Sequence, residues 1–555
     1  MAGETTQFLP RIPPPAKPVP PVRPVESTQV IPVFRDIPLA TETTQHIPVI
    51  PGHDSRVDPA VDYDDYGTDD YAQPEPTAKD PARRRGRKRV LIAAGSLLVV
   101  LAVGVAVVFA SPTVARRLGL TSVAGPVTQS PPSPVVFSAQ LKPPNDAGPV
   151  PTDSGVNQAL GGAAANPALG TLAGTVLDGA TGNVLWDHGS TTPVAPASTN
   201  KLLTSAAALL TLGPQTTLDT TVVAGSEPGT IILVGGGDPT LSSLPAPQQS
   251  VYPGAARIDD LAAQVKAHNP GQITRILVDT SRFSGPPTAP GWDPPSASQD
   301  NYAPIQPVML DGGRLDPTRP DTSRTYTPAL AAGQALATRL GLPTSAVATT
   351  NTPTPAGAQP LAVVHSATVP DLVTNLLQIS DNVLAEELGR AVALADNKPP
   401  TFTGGTEAVL DVLRRNGFDT TGVNLTDSSG LSPADRLPPR LLAQILRVAA
   451  SSDTTDPRVA KLRPLLSGLP IAGSPVGDGT LAGRYQTAPS EAGKGWVRAK
   501  TGTLTAQGVY ALAGIVLDTD GRVLVFALVS NGAPSATAPQ IIDTMAATLR
   551  GCGCR

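Results

Sequence analysis

Ser198-Thr199-Asn200-Lys201-Leu202-Leu203-Thr204-Ser205-Ala206-Ala207-Ala208-Leu209-Leu210 is the stretch on which the reading of this chain turns. It follows Val194-Ala195-Pro196-Ala197 and is closed by Gly213-Pro214, a start and a stop that predict one helix. That helix is apolar on nearly every side, which implies burial. Ser198 then lies at its N-terminus, where the macrodipole favours developing negative charge. Lys201, one turn on, shares the same face. Taken alone, the pair reads as a capping serine and a surface lysine. A lysine on so apolar a helix opposes that reading, because burying its charge needs a compensating reason. For Lys201 to accept a proton near neutrality, its pKa must fall from about 10.4 by ~3 units. Desolvation supplies part of the shift, and a second cation at ~4 Å adds roughly 4 kcal/mol at an effective dielectric of ~20.

Two further strings lie C-terminal to it. Ser380-Asp381-Asn382 separates the helical patterns Leu372–Gln378 and Val383–Leu394. In the second pattern Leu384, Leu388 and Ala391 share helical spacing, with Glu386-Glu387 on another face. By itself Ser-Asp-Asn is ordinary capping chemistry. Lys500-Thr501-Gly502-Thr503 follows Trp496-Val497-Arg498-Ala499, which reads as a strand. Alone it is an edge strand ending in a turn; chemically, it is a cation with hydroxyls that suits a carboxylate. Lys500 is the candidate second cation for Lys201. Each string is short, but the chain has a single Ser-x-x-Lys and a single Lys-Thr-Gly, and their order carries the weight.

The surrounding sequence predicts an α+β core. Leu172–Asp178 and Asn183–Trp186 flank the hairpin turn Gly179-Ala180-Thr181-Gly182. Val509–Leu517 and Val523–Ser530 flank the turn-prone Asp520-Gly521, and a last helix covers about 536–549. Strands from both ends with helices between them predict an antiparallel sheet closed by distant parts of the chain. Residues 241–360 are too long for a loop and hold a helix at Arg257–Ala267 and a strand at Ile273–Val278, so they read as an inserted subdomain. Gly235-Gly236-Gly237-Asp238-Pro239 follows an apolar strand, lacks a phosphate-cradle pattern and reads as a tight turn. The expected core is therefore 166–240 with 361–550, followed by a tail at 551–555.

The N-terminal part has a different texture. The 62 prolines of the 555-residue chain concentrate there, and residues 1–82 add an acidic stretch, a composition that predicts disorder. Val90–Ala110 is about 20 apolar residues, enough as a helix to cross the ~30 Å bilayer core. The basic run Arg83–Arg89 before it places the N-terminus in the cytoplasm and everything after Ala110 outside. Val108-Phe109-Ala110 faintly resembles a signal-peptidase site, but the long preceding tail favours a retained single-pass plasma-membrane anchor at 83–110. Residues 111–165 read as a Pro-, Ala- and Gly-rich linker, able to reach roughly 150 Å at ~3.1 Å per residue.

A repeat recurs in the tail: Glu4-Thr5-Thr6-Gln7, Glu26-Ser27-Thr28-Gln29 and Glu42-Thr43-Thr44-Gln45, followed by Phe8-Leu9-Pro10, Val30-Ile31-Pro32 and His46-Ile47-Pro48. Thr6, Thr28 and Thr44 are candidate phosphorylation sites for a Ser/Thr kinase or a phosphothreonine-binding partner; a low-complexity spacer is the alternative. Net charge is −4 and aromatic content 3%, which offers no nucleic-acid interface. His188, His268 and His365 lack metal-ligand spacing, so no metal or cofactor is expected. Cys552 and Cys554 read as part of a disordered tail without chemistry, with a local bridge or metal binding as alternatives.

At this point the chain resembles the D-alanyl-D-alanine carboxypeptidase/endopeptidase family of low-molecular-mass penicillin-binding proteins, in an actinobacterial, membrane-anchored form. The three strings carry the resemblance, together with Leu233-Val234-Gly235-Gly236-Gly237-Asp238-Pro239-Thr240-Leu241, Asp427-Ser428-Ser429-Gly430-Leu431-Ser432, Leu469–Gly473 and Asp478–Leu481. It implies a serine β-lactamase/penicillin-binding-protein-like core with insertions, acting on peptidoglycan stem peptides and acylated by β-lactams. It implies Ser198 as nucleophile and Lys201 as general base. It further implies Ser380 as proton relay, Asn382 on the substrate amide, and Lys500, Thr501, Gly502 and Thr503 around the terminal carboxylate. The span from Ser198 to Ser380 is shorter than is typical of that family, which implies a reduced insertion. A β-lactamase and a non-catalytic membrane sensor of wall fragments or β-lactams are the rival readings.

Overall fold

The computed structural model describes residues 144–268, 270–294, 300–474 and 479–555. The tail with Thr6, Thr28 and Thr44, the expected anchor and most of the expected linker lie outside the described residues. No helix among the described residues is long and apolar enough to cross a membrane.

Helix α1 (Asp153–Ala164), capped by Thr152 Oγ1 on Gly155 N, leads to strands β1 (Thr171–Asp178) and β2 (Val184–His188). A 3-10 turn, Ala197–Asn200, runs directly into α2 (Lys201–Thr211), whose residues are buried almost throughout. The chain then departs through β3 (Asp219–Ala224), β4 (Thr230–Gly235), α3 (Ile258–His268), β5 (Arg275–Asp279), α4 (Pro328–Leu340), β6 (Val347–Thr350) and β7 (Pro360–His365). It returns in α5 (Val369–Ile379), α6 (Asn382–Ala395), α7 (Phe402–Arg415) and α8 (Pro439–Ala450), then two short helical turns. Strands β8 (Arg498–Leu504), β9 (Val509–Leu517) and β10 (Val523–Asn531) precede the last long helix, α9 (Ala538–Arg550).

Two sheets result. The core sheet has the order β2-β1-β10-β9-β8 and is antiparallel throughout, so the two ends of the domain pair along β1 and β10 from Thr171↔Asn531 to Asp178↔Leu524. Both of its faces are covered. Val525, Ala527 and Val529 of β10 join the core of α2 and α5–α8, while Leu524, Phe526 and Leu528 face the core of α1 and α9. That double burial explains why β10 is an unbroken apolar run rather than an alternating one. Gly514 on β9 lets β8 approach: a Cβ there would overlap the Arg498 carbonyl.

The second sheet, β6-β5-β4-β3-β7, is mixed, and α3 and α4 pack on it around Leu233, Ile276, Val278 and Leu336. The inserted domain thus spans Asp219–His365, not 241–360. Its first two strands looked like core strands because β7, the outer partner of β3, and β5, the outer partner of β4, lie further along the chain. The glycine run is not a closed tight turn: it leaves β4 in a bend at Gly237 and runs on beside Pro307 and Val308, and its bareness allows close backbone approach, since a Cβ at Gly236 would overlap the Asp219 carbonyl.

The boundaries move at both ends as well. Part of the expected linker is folded: α1 buries Val156 and Leu160 against α9, and Gly148 O accepts from Arg522 Nη1 at 2.7 Å. The C-terminal tail is ordered rather than loose. Cys552 and Cys554 form a disulfide, Cys552 is buried, and Cys554 O accepts from Thr152 N at 2.7 Å.

Candidate active site

The turn before α2 is held from several sides. Ala195 exchanges two hydrogen bonds with the Asn531 side chain, at 2.8 and 3.0 Å, which pins the approach to Ser198 on β10. Ala197 takes φ +47°, a left-handed conformation costly for a residue with a Cβ, and such strain tends to be retained at functional turns. Gly430 abuts this turn so closely that a Cβ would overlap the Ala197 carbonyl. Ser198 is half-buried at the mouth of a cavity of about 320 Å³ that Ser380, Asn382, Thr501 and Thr503 also line.

Lys201 is wholly buried beneath Ser198. Its Nζ donates to Ser198 Oγ at 2.9 Å, to Asn382 Oδ1 at 2.6 Å and to the Ser429 carbonyl at 2.7 Å. Asn382 Nδ2 in turn donates to the Asn301 carbonyl of the inserted domain at 3.0 Å. On the far side Lys500, also wholly buried, donates to Ser380 Oγ at 2.8 Å and to the Thr501 carbonyl at 2.9 Å. Thr501 Oγ1 donates to Thr480 Oγ1 at 2.9 Å. The three strings therefore meet in one place, as two hydroxyl–amine pairs facing a shared cavity.

Burial pushes the Lys201 ammonium down to about 8, against the opposing charges of Asp427, Asp381, Glu386 and Asp435. Burial, and after it the charge of Lys201, pushes Lys500 well below the usual lysine range. Desolvation, rather than repulsion from Lys500, is therefore the main agent at Lys201. The lysine string also proves to lie on strand β8 itself, at the sheet edge, instead of in a turn after it. Gly502 does not line the cavity. A Cβ there would come within 2.7 Å of the Pro196 carbonyl, so its bareness lets β8 lie against the Ser198 turn.

The comparisons with known proteins agree with this geometry. The D-Ala-D-Ala carboxypeptidase 3 (S13) family matches residues 156–322 and 316–551. Carboxypeptidase DacB of Mycolicibacterium smegmatis is 46% identical over 475 residues, covering 85% of this chain and 99% of that protein. The chain belongs to the S13 D-Ala-D-Ala carboxypeptidase family. A carboxypeptidase of Mycobacterium tuberculosis is 46% identical over 427 residues, 76% of this chain and 90% of that one. The fold is shared with penicillin binding protein 4 of Haemophilus influenzae, at a TM-score of 0.54 and 24% identity over 71% of this chain and 97% of that chain.

Several residues of this S13 carboxypeptidase escaped the sequence reading. Asp427 organises the loop that supplies the Ser429 carbonyl. Its carboxylate accepts from the backbone N–H of Ser429, Gly430 and Ser432 at 3.0, 2.6 and 2.7 Å, and from Trp292 Nε1 at 2.7 Å. The Asp-Ser-Ser-Gly-x-Ser string was visible, and its Asx-turn chemistry is the signal that would have found this role. Glu386 and Glu387, placed by the sequence only on another face of the helix, are buried. Glu386 Oε1 accepts from Ser428 N at 2.9 Å, and burial with the nearby Asp427 charge raises its carboxyl to about 8. Thr480 is a further cavity residue, on a string recognised without a role.

Proposed function

We propose that this carboxypeptidase removes the terminal D-Ala of peptidoglycan stem peptides through an ester formed on Ser198. Lys201 accepts the Ser198 proton as Oγ attacks the carbonyl of the penultimate D-Ala. The backbone N–H groups of Ser198 and Thr503 hold the oxyanion. Ser380 passes a proton, replaced from Lys500, to the departing amine as the C–N bond breaks. Water then attacks the ester carbonyl and gives up a proton that restores Lys500, while Lys201 returns its proton to Oγ as the C–Oγ bond breaks and the shortened peptide leaves. Asn382 fixes Lys201 and the substrate amide, while Lys500, Thr501 and Thr503 receive the terminal carboxylate. That anion favours the ammonium form of Lys500, and the added repulsion favours the neutral, basic form of Lys201. Binding thereby readies the base. β-Lactams, which present a carboxylate and a strained amide to the same groups, acylate Ser198 and are hydrolysed from it only slowly.

The observation carrying this reading is a fully buried lysine 2.9 Å from a half-buried serine hydroxyl, with its pKa brought to about 8. The test is Ser198→Ala in the full chain, assayed for D-Ala release from a stem-peptide mimic and for labelling by a fluorescent penicillin. Labelling should vanish and release should fall by on the order of 10³-fold or more; retained turnover overturns the assignment. Rapid penicillin turnover without D-Ala release would favour a β-lactamase, and a single acylation without turnover a sensor. The anchor sequence and its basic flank support a place on the outer side of the plasma membrane, facing the wall polymer. The repeats support a cytoplasmic tail phosphorylated at Thr6, Thr28 and Thr44, which phosphopeptide mapping tests directly.

A further inference from the structure

Asp381, the middle residue of the second string, touches neither the cavity hydroxyls nor either amine directly. It is buried and capped from the inserted domain. Tyr252 Oη donates to its Oδ2 at 2.7 Å, Arg314 Nη2 donates to the same oxygen at 2.7 Å, and Arg324 Nη2 lies 4.0 Å away. Its Oδ1 meanwhile accepts from Leu384 N at 3.0 Å and caps α6. Arg314 spends its remaining donors on the same domain: Nη1 on Tyr252 Oη at 2.6 Å, and Nε on the Pro320 carbonyl at 3.0 Å. Pro320 lies on a ribbon between Arg314 and Arg324 that walls the cavity.

Ser380 adopts φ +60°, a left-handed conformation unusual for serine, and Asn382 begins the helix just beyond. A single carboxylate thus fixes the turn that aims the Ser380 and Asn382 side chains, and a single guanidinium fixes that carboxylate and the cavity wall together. We propose that Tyr252 and Arg314 of the inserted domain are positioning residues for the reaction, acting through Asp381 to hold Ser380 on Lys500 and Asn382 on Lys201. The inserted domain is then part of the catalytic apparatus and not only a scaffold beside it.

This rests on the acyl-transfer reading above, so the wild-type chain is the control for that reading. Tyr252→Phe keeps ring and packing while removing two hydrogen bonds, the one donated to Asp381 and the one accepted from Arg314 Nη1. Such a loss should slow acylation of Ser198 by a fluorescent penicillin by about tenfold or more, since small misplacements of reacting groups are costly. The same factor should appear in kcat for D-Ala release, with KM within about twofold and thermal unfolding little changed. Arg314→Lys retains charge but not the planar fork, and should lose rate in the same way. If wild type does not acylate, the reading of function fails. If wild type acylates and a folded Tyr252→Phe matches it, the positioning role is overturned. Loss of rate that merely tracks the fraction unfolded overturns it as well.

Discussion

Lys201 shows how a single side chain is tuned by opposed effects of similar size. Burial lowers its pKa, while Asp427, Asp381, Glu386 and Asp435 face it and raise it. Lys500, the other charged neighbour, is itself driven down by burial and by Lys201. Because the base must be neutral, the acylation rate should rise with pH and level off above about 8. Removing a facing negative charge weakens the ammonium form, so Asp427→Asn should move this limb to lower pH. The same change replaces one carboxylate oxygen by an NH2 donor, which sets it against either Ser429 N and Gly430 N or Ser432 N and Trp292 Nε1, and the limiting rate should also fall, by about tenfold or more. Stopped-flow acylation across pH measures both effects at once. A limb that stays in place in Asp427→Asn would mean that a group other than Lys201 is titrating.

At the scale of elements, the sheet is fastened where its ends meet. Arg522, in the turn before β10, grips Asp178 at the end of β1 through Nε and Nη2, each at 2.7 Å. Its Nη1 holds the carbonyls of Asp146 and Gly148 at 2.6 and 2.7 Å, so one fork closes the hairpin and seats the incoming chain. Burial alone would raise the Asp178 carboxyl, but the hydrogen bonds and charge of Arg522 and those of Thr181 hold it below the usual range. Arg522→Met should cost about 3 kcal/mol at pH 7, by urea unfolding, because it strands a buried carboxylate just under the surface. A group with a lowered folded pKa contributes stability above its unfolded pKa and loses it as pH falls through the folded value. The deficit of the variant should therefore narrow in acid. These strands were legible beforehand: β9 and β10 are long apolar runs around Asp520-Gly521, and local signals suffice to place them. The start of the insertion was not, because pairing partners of β3 and β4 cannot be read from strand periodicity. The burial of Glu386 and Glu387 was not legible either: Arg390, 3.6 Å from Glu386, is its i+4 neighbour on α6, but the Ser428 N–H comes from a distant loop that only the fold brings up.

For the described part of the molecule as a whole, the question is whether two sheets behave as one unit. The insertion leaves and re-enters the core at adjacent points: Ser366 N donates to the Leu218 carbonyl at 3.1 Å, and Leu218 N to Ser366 Oγ at 2.9 Å. Its second sheet has its own apolar core, so topology alone would let it fold and melt by itself. What opposes this is a shared apolar cluster, in which Tyr302, Ile305 and Met309 pack with Val383 and Phe402, and a set of buried polar contacts. Tyr252 and Arg314 meet Asp381, Trp292 meets Asp427, and Asn382 meets the Asn301 carbonyl, each at a point where parting would expose an unpaired group. Separation of the domains would leave the Asp381 carboxylate, held far below its usual pKa by Arg314 and Arg324 despite its burial, without its counter-charges. Breaking such a pair from one side costs about 3–5 kcal/mol, a large share of the ~5–15 kcal/mol that stabilises a domain. Calorimetry of the full chain should accordingly show the insertion and the core melting in one transition. Arg314→Met should split or broaden that transition, with the first step accompanied by loss of penicillin acylation. Two resolved transitions already present in the wild-type protein would show that the polar contacts do not couple the domains.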